Sequence, residues 1–513
     1  MALVLDAVYT FALNFSEGLK LFFHWQNILA NLGGVLIGSI FGSIPGLTII
    51  MAVALALPFT FQMESLTAIS LLLGIYVGAI YGGSVSAILI NTPGTPAAAA
   101  TAMDGYKLCQ KGKAGKALRM ANYASCVGDL VSTSIVVIIC PILANVAFFF
   151  GPPEYFALVL FSLTIIAGVS TRSVIKGLIS GALGLLAATV GQDPFVATGR
   201  FTFGSFDLMS GLSFVPLLIG LFAVPEIIRQ LERKSSGPNI DFDICEIEST
   251  NPDDHRVTWK EFKSCFRSMT RGGIIGLILG IIPGLGATPS AFVSYERALR
   301  NSKNPEEFGE GSLEGLAAAE SGNNAVNGAT FVPLLTLGIP GDIITAVMLG
   351  AFMMHNITPG PLLFEEHTAL VYGIFVSLFM CDISLRIVGM VLIPFASKIA
   401  KIPASILFPI VFILCVTGSY AINNRLFDVG IMISMGVFAY IMGRYGFSPI
   451  PFMIAFVLGP MFEKGMRRSL ALSDGDPKIF FSSPIAVGFI LLTVISIVTL
   501  VRRTRKKDSS LST

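Results

Sequence analysis

Charge is what this chain has least of. Asp, Glu, Lys and Arg make up 13% of its 513 residues, against about 25% in a typical soluble domain, so a conventional water-soluble globule is excluded. Basic and acidic side chains nearly cancel, leaving a net charge of +2, and no broad basic field exists to hold nucleic acid. The four histidines (24, 255, 355, 367) show no ligand spacing with cysteine or carboxylate, which argues against a metal site. The seven cysteines lack any CxxC spacing and sit mostly in apolar stretches, where a thiol packs as a small hydrophobe. A P-loop for ATP is missing. Nor does a positive segment precede the first apolar stretch, which has Asp6 and Glu17 around it, so no cleaved signal peptide is expected.

What remains is apolar. Hydrophobic residues supply 53% of the chain, mean hydropathy is +0.76, and the 52 glycines and 27 prolines lie inside apolar runs. Stretches of bilayer length, about 20 residues each, recur about a dozen times between residues 26 and 501. Several are too long, or too interrupted by Gly and Pro, to be simple spans. This predicts an all-α polytopic integral membrane protein whose helices are partly broken or re-entrant. Residues 230–270 are the one sizeable hydrophilic interruption. They read as a linker between a first membrane half (1–229) and a second (271–501), with a basic tail at 502–513.

The halves are related. Residues 34–47, GVLIGSIFGSIPGL, match residues 272–285, GGIIGLILGIIPGL, at nine of fourteen positions. Gly42, Pro45 and Gly46 correspond to Gly280, Pro283 and Gly284. A second Pro-Gly follows in each half, within Asn91-Thr92-Pro93-Gly94-Thr95-Pro96 and within Gly338-Ile339-Pro340-Gly341-Asp342. The stretch after the first carries Lys107, Lys111, Lys113, Lys116 and Arg119, whereas the stretch after the second carries Glu365 and Glu366. The positive-inside rule therefore puts equivalent points on opposite faces, as inverted repeats require.

A Pro-Gly inside a span removes a backbone donor and frees carbonyls. Half-helix N-termini then offer partial positive charge to an anion, and freed carbonyls can hold a cation. The polar neighbours Asn91, Thr92, Thr95, Asn323, Asn324, Asn327 and Asp342 stand in apolar context, where leaving each unpaired costs about 1–3 kcal/mol. They are candidate lining for a binding site; bonding between neighbouring helices is the plainer alternative for any one of them. Asp129 has no sequence-near partner and is a candidate ion or proton site. Asp382 and Arg386 are four residues apart, the spacing of a self-neutralising pair on one helix face.

The two IPGL segments, the NTPGTP tract and the late stretch EKGMRRSLALSDGD (463–476) resemble the large membrane subunit of tripartite tricarboxylate transporters, the TctA family. The likeness extends over roughly residues 15 to 500. It implies a secondary transporter of citrate-like di- or tricarboxylates in a bacterial inner membrane, driven by a sodium or proton gradient and needing no cofactor. It also implies two partners, a small membrane subunit and an extracytoplasmic solute-binding protein. The substrate would be held by Asn91, Thr92, Pro93, Gly94, Thr95, Asn323, Asn324, Pro340 and Gly341, with Asp342 and Asp129 as ion-coupling candidates. Two other classes stay open. A passive channel would show a symmetric filter or charged rings. An intramembrane aspartyl protease would need a second carboxylate partnered to Gly341-Asp342, and the chain has no Tyr-Asp pair to supply it; no catalytic residue is expected.

Overall fold

The computed structural model describes residues 2–169, 173–235, 251–402 and 404–511. Linker residues 236–250 and the last two residues of the basic tail lie outside them. The first half forms α1 (Ala2–Phe22), α2 (Trp25–Ser43), α3 (Ile49–Thr60), α4 (Ser65–Ile90), α5 (Ala98–Gln110), α6 (Ala114–Ala147), α7 (Pro152–Val169), α8 (Val174–Ala188) and α9 (Phe214–Ser235). The second forms α10 (Trp259–Ile281), α11 (Ala287–Asn301), α12 (Leu313–Asn324), α13 (Val326–Ala329), α14 (Phe331–Leu337), α15 (Ile343–Met354), α16 (Leu363–Glu366) and α17 (Thr368–Leu392). It ends with α18 (Ala396–Ala400), α19 (Ala404–Asn423), α20 (Leu426–Arg444), α21 (Pro449–Leu472) and α22 (Pro484–Leu511).

Six helices among the described residues are long and apolar enough to cross a membrane, and five shorter apolar helices accompany them. The dozen expected spans thus resolve into unequal pieces. The physical reason is the Pro-Gly steps, which divide several apolar runs into a helix, an irregular segment and a second, shorter helix.

The chain divides into two compact units that do not follow the sequence halves. One comprises residues 1–144 and 236–409, the other 145–235 and 410–513. Each unit therefore draws on both halves.

In the first unit, α2 and α4 run parallel with backbones in contact. A Cβ on Gly34, Gly38 or Gly42 would run into the carbonyl oxygens of Leu71, Ile75 and Ala79, and Gly74, Gly78 and Gly82 face Asn31, Val35 and Ser39 in return. Small residues at four-residue spacing allow this approach. The second half repeats it, with Gly272, Gly276 and Gly280 of α10 set against Ala318, Gly322, Ala325 and Ala329.

The helix hairpins α2–α3 and α10–α11 open toward different ends of this unit. Thr67 at the start of α4 donates to Asn27 Oδ1 at the start of α2 (2.5 Å), so α3 returns to the end from which α2 departed. Lys116 Nζ lies 2.7 Å from Glu261 Oε1 at the start of α10. The loop after α11 donates three backbone N–H groups, of Gly309, Gly311 and Ser312, to Asp104 Oδ1 of α5 at 2.8–2.9 Å. Hence α10 and α11 begin and end beside the basic stretch 107–119. Burial opposes the charge on Glu261, but Lys116 and the Thr258 donors outweigh it and hold this carboxyl below its ordinary range.

Helices α6 and α17 cross antiparallel. Asn122 donates to the Leu385 carbonyl (2.9 Å), and further along α6 the Cys126 thiol reaches the Asp382 carbonyl (3.5 Å). Counting back to Ala114 and Thr368 at about 1.5 Å per residue puts the two starts about 37 Å apart along the pair.

The second unit packs α7 and α8 on α21, α7 on α22, and α9 on α20. Its loop 191–200 forms a two-stranded antiparallel ribbon. Arg467 donates to both Asp193 oxygens at 2.9 Å, and Arg200 pairs with Glu463 at 2.7 and 3.2 Å. Glu463 and Arg467 of the 463–476 stretch thus anchor this loop.

Candidate functional site

The helix breaks have the same conformation in both halves. Gly46 and Gly284 take φ of 91° and 85°, left-handed values at which a side chain is strained, after the extended Ile44 and Ile282. At the second break Asn91 (φ 50°) and Gly338 (φ 71°) stop their helices in the αL conformation. Asn is the side-chain-bearing residue that tolerates this best.

In the second half the two breaks touch, and in the first half the second break packs against α2 and α4. Gly284 N–H donates to the Gly341 carbonyl (2.8 Å), while Gly94 N–H donates to the Gly83 carbonyl (3.1 Å). A Cβ on Gly94 would lie 2.5 Å from the Gly42 carbonyl oxygen, and one on Gly341 would lie 2.9 Å from Thr330 Cα and Cβ. These two glycines are therefore closed in by the protein's own backbone. Gly42 and Gly280 sit in the last turn before their breaks, in the packing stripe.

The halves also interlock, since α3 contacts α15 and α11 contacts α5. Ala97 and Ala100 of the first half share a buried cluster with Ala291, Tyr295 and Ala319, against which Ala287 and Phe308 pack. The starts of α5 and α11 are thereby side by side, and neither has an acidic residue in its first turn. Thr95 Oγ1 accepts from Ala98 N–H (3.1 Å), and Gly286 before α11 offers no side-chain cap. Asn91 and Pro93 are exposed, Thr92 is half-buried, and its hydroxyl donates to the Ile90 carbonyl (3.2 Å).

Asp342 borders the start of α11, its Cβ 3.9 Å from where a Cβ on Gly286 would stand, but its carboxyl is committed elsewhere. Its Oδ1 accepts from Thr345 N–H and Oγ1, both at 2.7 Å, making it the N-cap of α15, and its Oδ2 accepts from Tyr76 (2.8 Å). Cap and phenol together engage both of its oxygens. Pro340 and Gly341 are buried beside it.

Asn323, Asn324 and Asn327 lie deeper in α12 and α13, and all three are fully buried. Asn324 donates to Ser125 Oγ (2.9 Å) and to Glu320 Oε2 (3.3 Å). Glu320, also fully buried, gathers further donors: Ser84 Oγ at 2.5 Å, Thr101 Oγ1, and Ser125 Oγ at 3.1 Å. The side-chain atoms of Asn323 have no hydrogen-bond partner among the described residues. Asn327 donates to Asp129 Oδ2 (3.3 Å).

The expected Asp382–Arg386 pair is not what forms. Arg386 donates to Asn122 Oδ1 (2.8 Å) and stacks on the Tyr123 ring, 4.0 Å from its centroid. The Asp382 carboxyl instead faces Asp129, and neither of its oxygens has a hydrogen-bond donor among the described residues. Helical spacing makes the i,i+4 pair possible; the α6 side chains offer Arg386 better partners.

Sequence reasoning passes over Tyr76, Ser84, Thr101, Ser125 and Glu320. Glu320 had a signal, a lone carboxylate in the small-residue run LAAAESGNN, four residues before Asn324. The hydroxyls had none, because apolar helices carry many that bond their own backbone.

Taken together, the apolar helices, duplicated breaks and buried polar clusters define a multi-pass membrane protein of the transporter class. Comparison with known proteins agrees. The chain belongs to the tripartite tricarboxylate transporter TctA family, whose profile matches residues 28–454. It is 39% identical over 498 residues, 96% of this chain and 98% of the relative, to an "uncharacterized 52.8 kDa protein in TAR-I ttuC' 3'region" of Agrobacterium vitis. A second Agrobacterium vitis protein, "uncharacterized protein in TAR-II ttuC' 3'region", is 40% identical over 223 residues, 44% of this chain and 92% of that relative. No solved structure matches.

Proposed function

We propose that this chain is the permease subunit of a secondary transporter that imports small, citrate-like di- or tricarboxylates on a sodium or proton gradient. The substrate is handed over by an extracytoplasmic solute-binding protein, and a small membrane subunit completes the complex in a bacterial inner membrane. The observation that carries this reading is the meeting of α5 and α11, two helix starts without an acidic first turn, α5 following the exposed Asn91 and Pro93 in sequence. Each helix start carries roughly half a positive charge, which suits a pair of carboxylates. The corresponding α15 start is already occupied by Asp342, so the anion site is one-sided despite the duplication.

The halves act as inverted repeats in this reading. Supporting it, α6 and α17 occupy the same place in the order of their halves yet run antiparallel, and the hairpins α2–α3 and α10–α11 open toward different ends. Single cysteines at Lys113 and Glu366, on a background without native cysteines, are expected to react with impermeant reagent from opposite sides of the membrane. Reaction from one side would overturn the inversion.

Proteoliposomes holding both membrane subunits should take up substrate only when the binding protein is added. Asn91→Gly keeps the αL backbone and removes the amide, so an effect of about 1–3 kcal/mol, roughly 5- to 150-fold in apparent substrate affinity, is expected at normal protein abundance. Uptake at the wild-type rate without the binding protein would refute the partnership, and an unchanged affinity in Asn91→Gly would remove that residue from the site.

A further inference from the structure

Asp129 and Asp382 occupy matching places in the two halves. Asp129 lies fifteen residues past the start of α6, and Asp382 lies fourteen past the start of α17. The two helices are antiparallel, so their carboxyls meet where the pair crosses, about equally far from both ends.

The meeting is chemically incomplete. The Asp129 and Asp382 carboxyls lie beside each other across the α6–α17 crossing, where two ionised carboxylates repel. Asn327 Nδ2 donates to Asp129 Oδ2 at 3.3 Å. Asp129 Oδ1, both oxygens of Asp382 and Asn327 Oδ1 are buried without a hydrogen-bond partner among the described residues.

Among the described residues no fixed cation serves them. Arg386, one turn along α17, is committed to Asn122 and the Tyr123 ring. The other titratable groups nearby have their own partners: the Cys126 thiol reaches the Asp382 carbonyl (3.5 Å), Cys381 accepts from Asn31 (3.0 Å), and Tyr76 donates to Asp342. Adjacent bare carboxylates repel, and burying each without compensation is strongly unfavourable. A positive charge shared by these oxygens resolves both problems. A carboxyl pair, an amide oxygen and mid-helix depth suit a monovalent cation that must be released again.

We propose that Asp129 and Asp382, one from each half, form a single symmetric site for the coupling cation, a sodium ion or a proton, with Asn327 Oδ1 as a third oxygen. This rests on the ion-coupled reading above and specifies where the cation sits.

The test uses the purified full-length protein in detergent, without substrate or partner, so that it is independent of what is transported. Radioactive sodium retention measures the sodium arm, and the infrared band of a protonated carboxyl measures the proton arm. One of the two signals is expected in the wild type and should be lost in both Asp129→Asn and Asp382→Asn, with the double variant no worse than either. Glu320→Gln should keep the signal, and Asp382→Glu should recover part of it. Absence of both signals from the wild type overturns the proposal even if no variant folds. Persistence of the wild-type signal in folded Asp129→Asn or Asp382→Asn overturns it as well. Should cation binding behave as expected while reconstituted complex moves no carboxylate, the substrate reading fails and this site stands.

Discussion

Glu320→Ala is expected to bring the folded protein close to none. Ser84 and Thr101 share Glu320 Oε1 as acceptor, and Ser125 and Asn324 donate to Oε2. Those donors come from α4, α5, α6 and α12, so one carboxyl joins both halves of the first unit. A buried donor left without its acceptor costs about 1–3 kcal/mol. With two hydroxyls orphaned outright and two donors weakened, the loss reaches about 4 kcal/mol, a large part of a typical folding stability of about 5–15 kcal/mol. Glu320→Gln keeps an acceptor oxygen in the same place and should retain most of the protein. Membrane abundance and detergent-solubilised size-exclusion profiles of both variants decide the matter. Wild-type amounts of monodisperse Glu320→Ala would show that the network does not hold the helices together.

The second large effect is expected at Gly38. A valine there places its Cβ on the Ile75 carbonyl oxygen and close to Ala79 N, both backbone atoms of α4 that cannot rotate aside. Gly33, five residues earlier on the same helix, has nothing within 4 Å of its would-be Cβ. Gly38→Val should therefore abolish folded protein, whereas Gly33→Ala should leave it unchanged or slightly raise it, as alanine favours helix over glycine by about 1 kcal/mol. Equal abundance of the two would mean that α2 and α4 do not make this backbone contact in the membrane.

The parts of the fold legible in the sequence are those with a local signature. The matching G-x-x-x-G-x-x-P-G-L segments end their helices in the same backbone conformation, and the Pro-Gly steps marked the breaks, because proline and glycine act on the backbone where they stand. Asp129 stood out as an isolated charge. What could not be read is cross-chain: that Asp382 would turn to Asp129 and not to Arg386, that Asp342 would cap α15, and that Glu320 would collect donors from three other helices. Such partnerships depend on which faces the folded unit brings together, and a single sequence carries no trace of them. The compact units, each assembled from two separated chain segments, are of the same kind.

The glycine-lined seam between α2 and α4 has a mechanical consequence. Ordinary helix pairs touch through side chains that can change rotamer, and so can slide past each other by small steps. Here carbonyl oxygens of one helix lie where the side chains of the other would begin, leaving nothing deformable between them. The seam must behave as a solid strut, and the Pro45-Gly46 apex is carried with α4 instead of swinging on its own. Any gate that opens and closes in the first half then has to be driven by the displacement of this strut as a whole, and a disulfide welded across α2 and α4 should leave turnover intact.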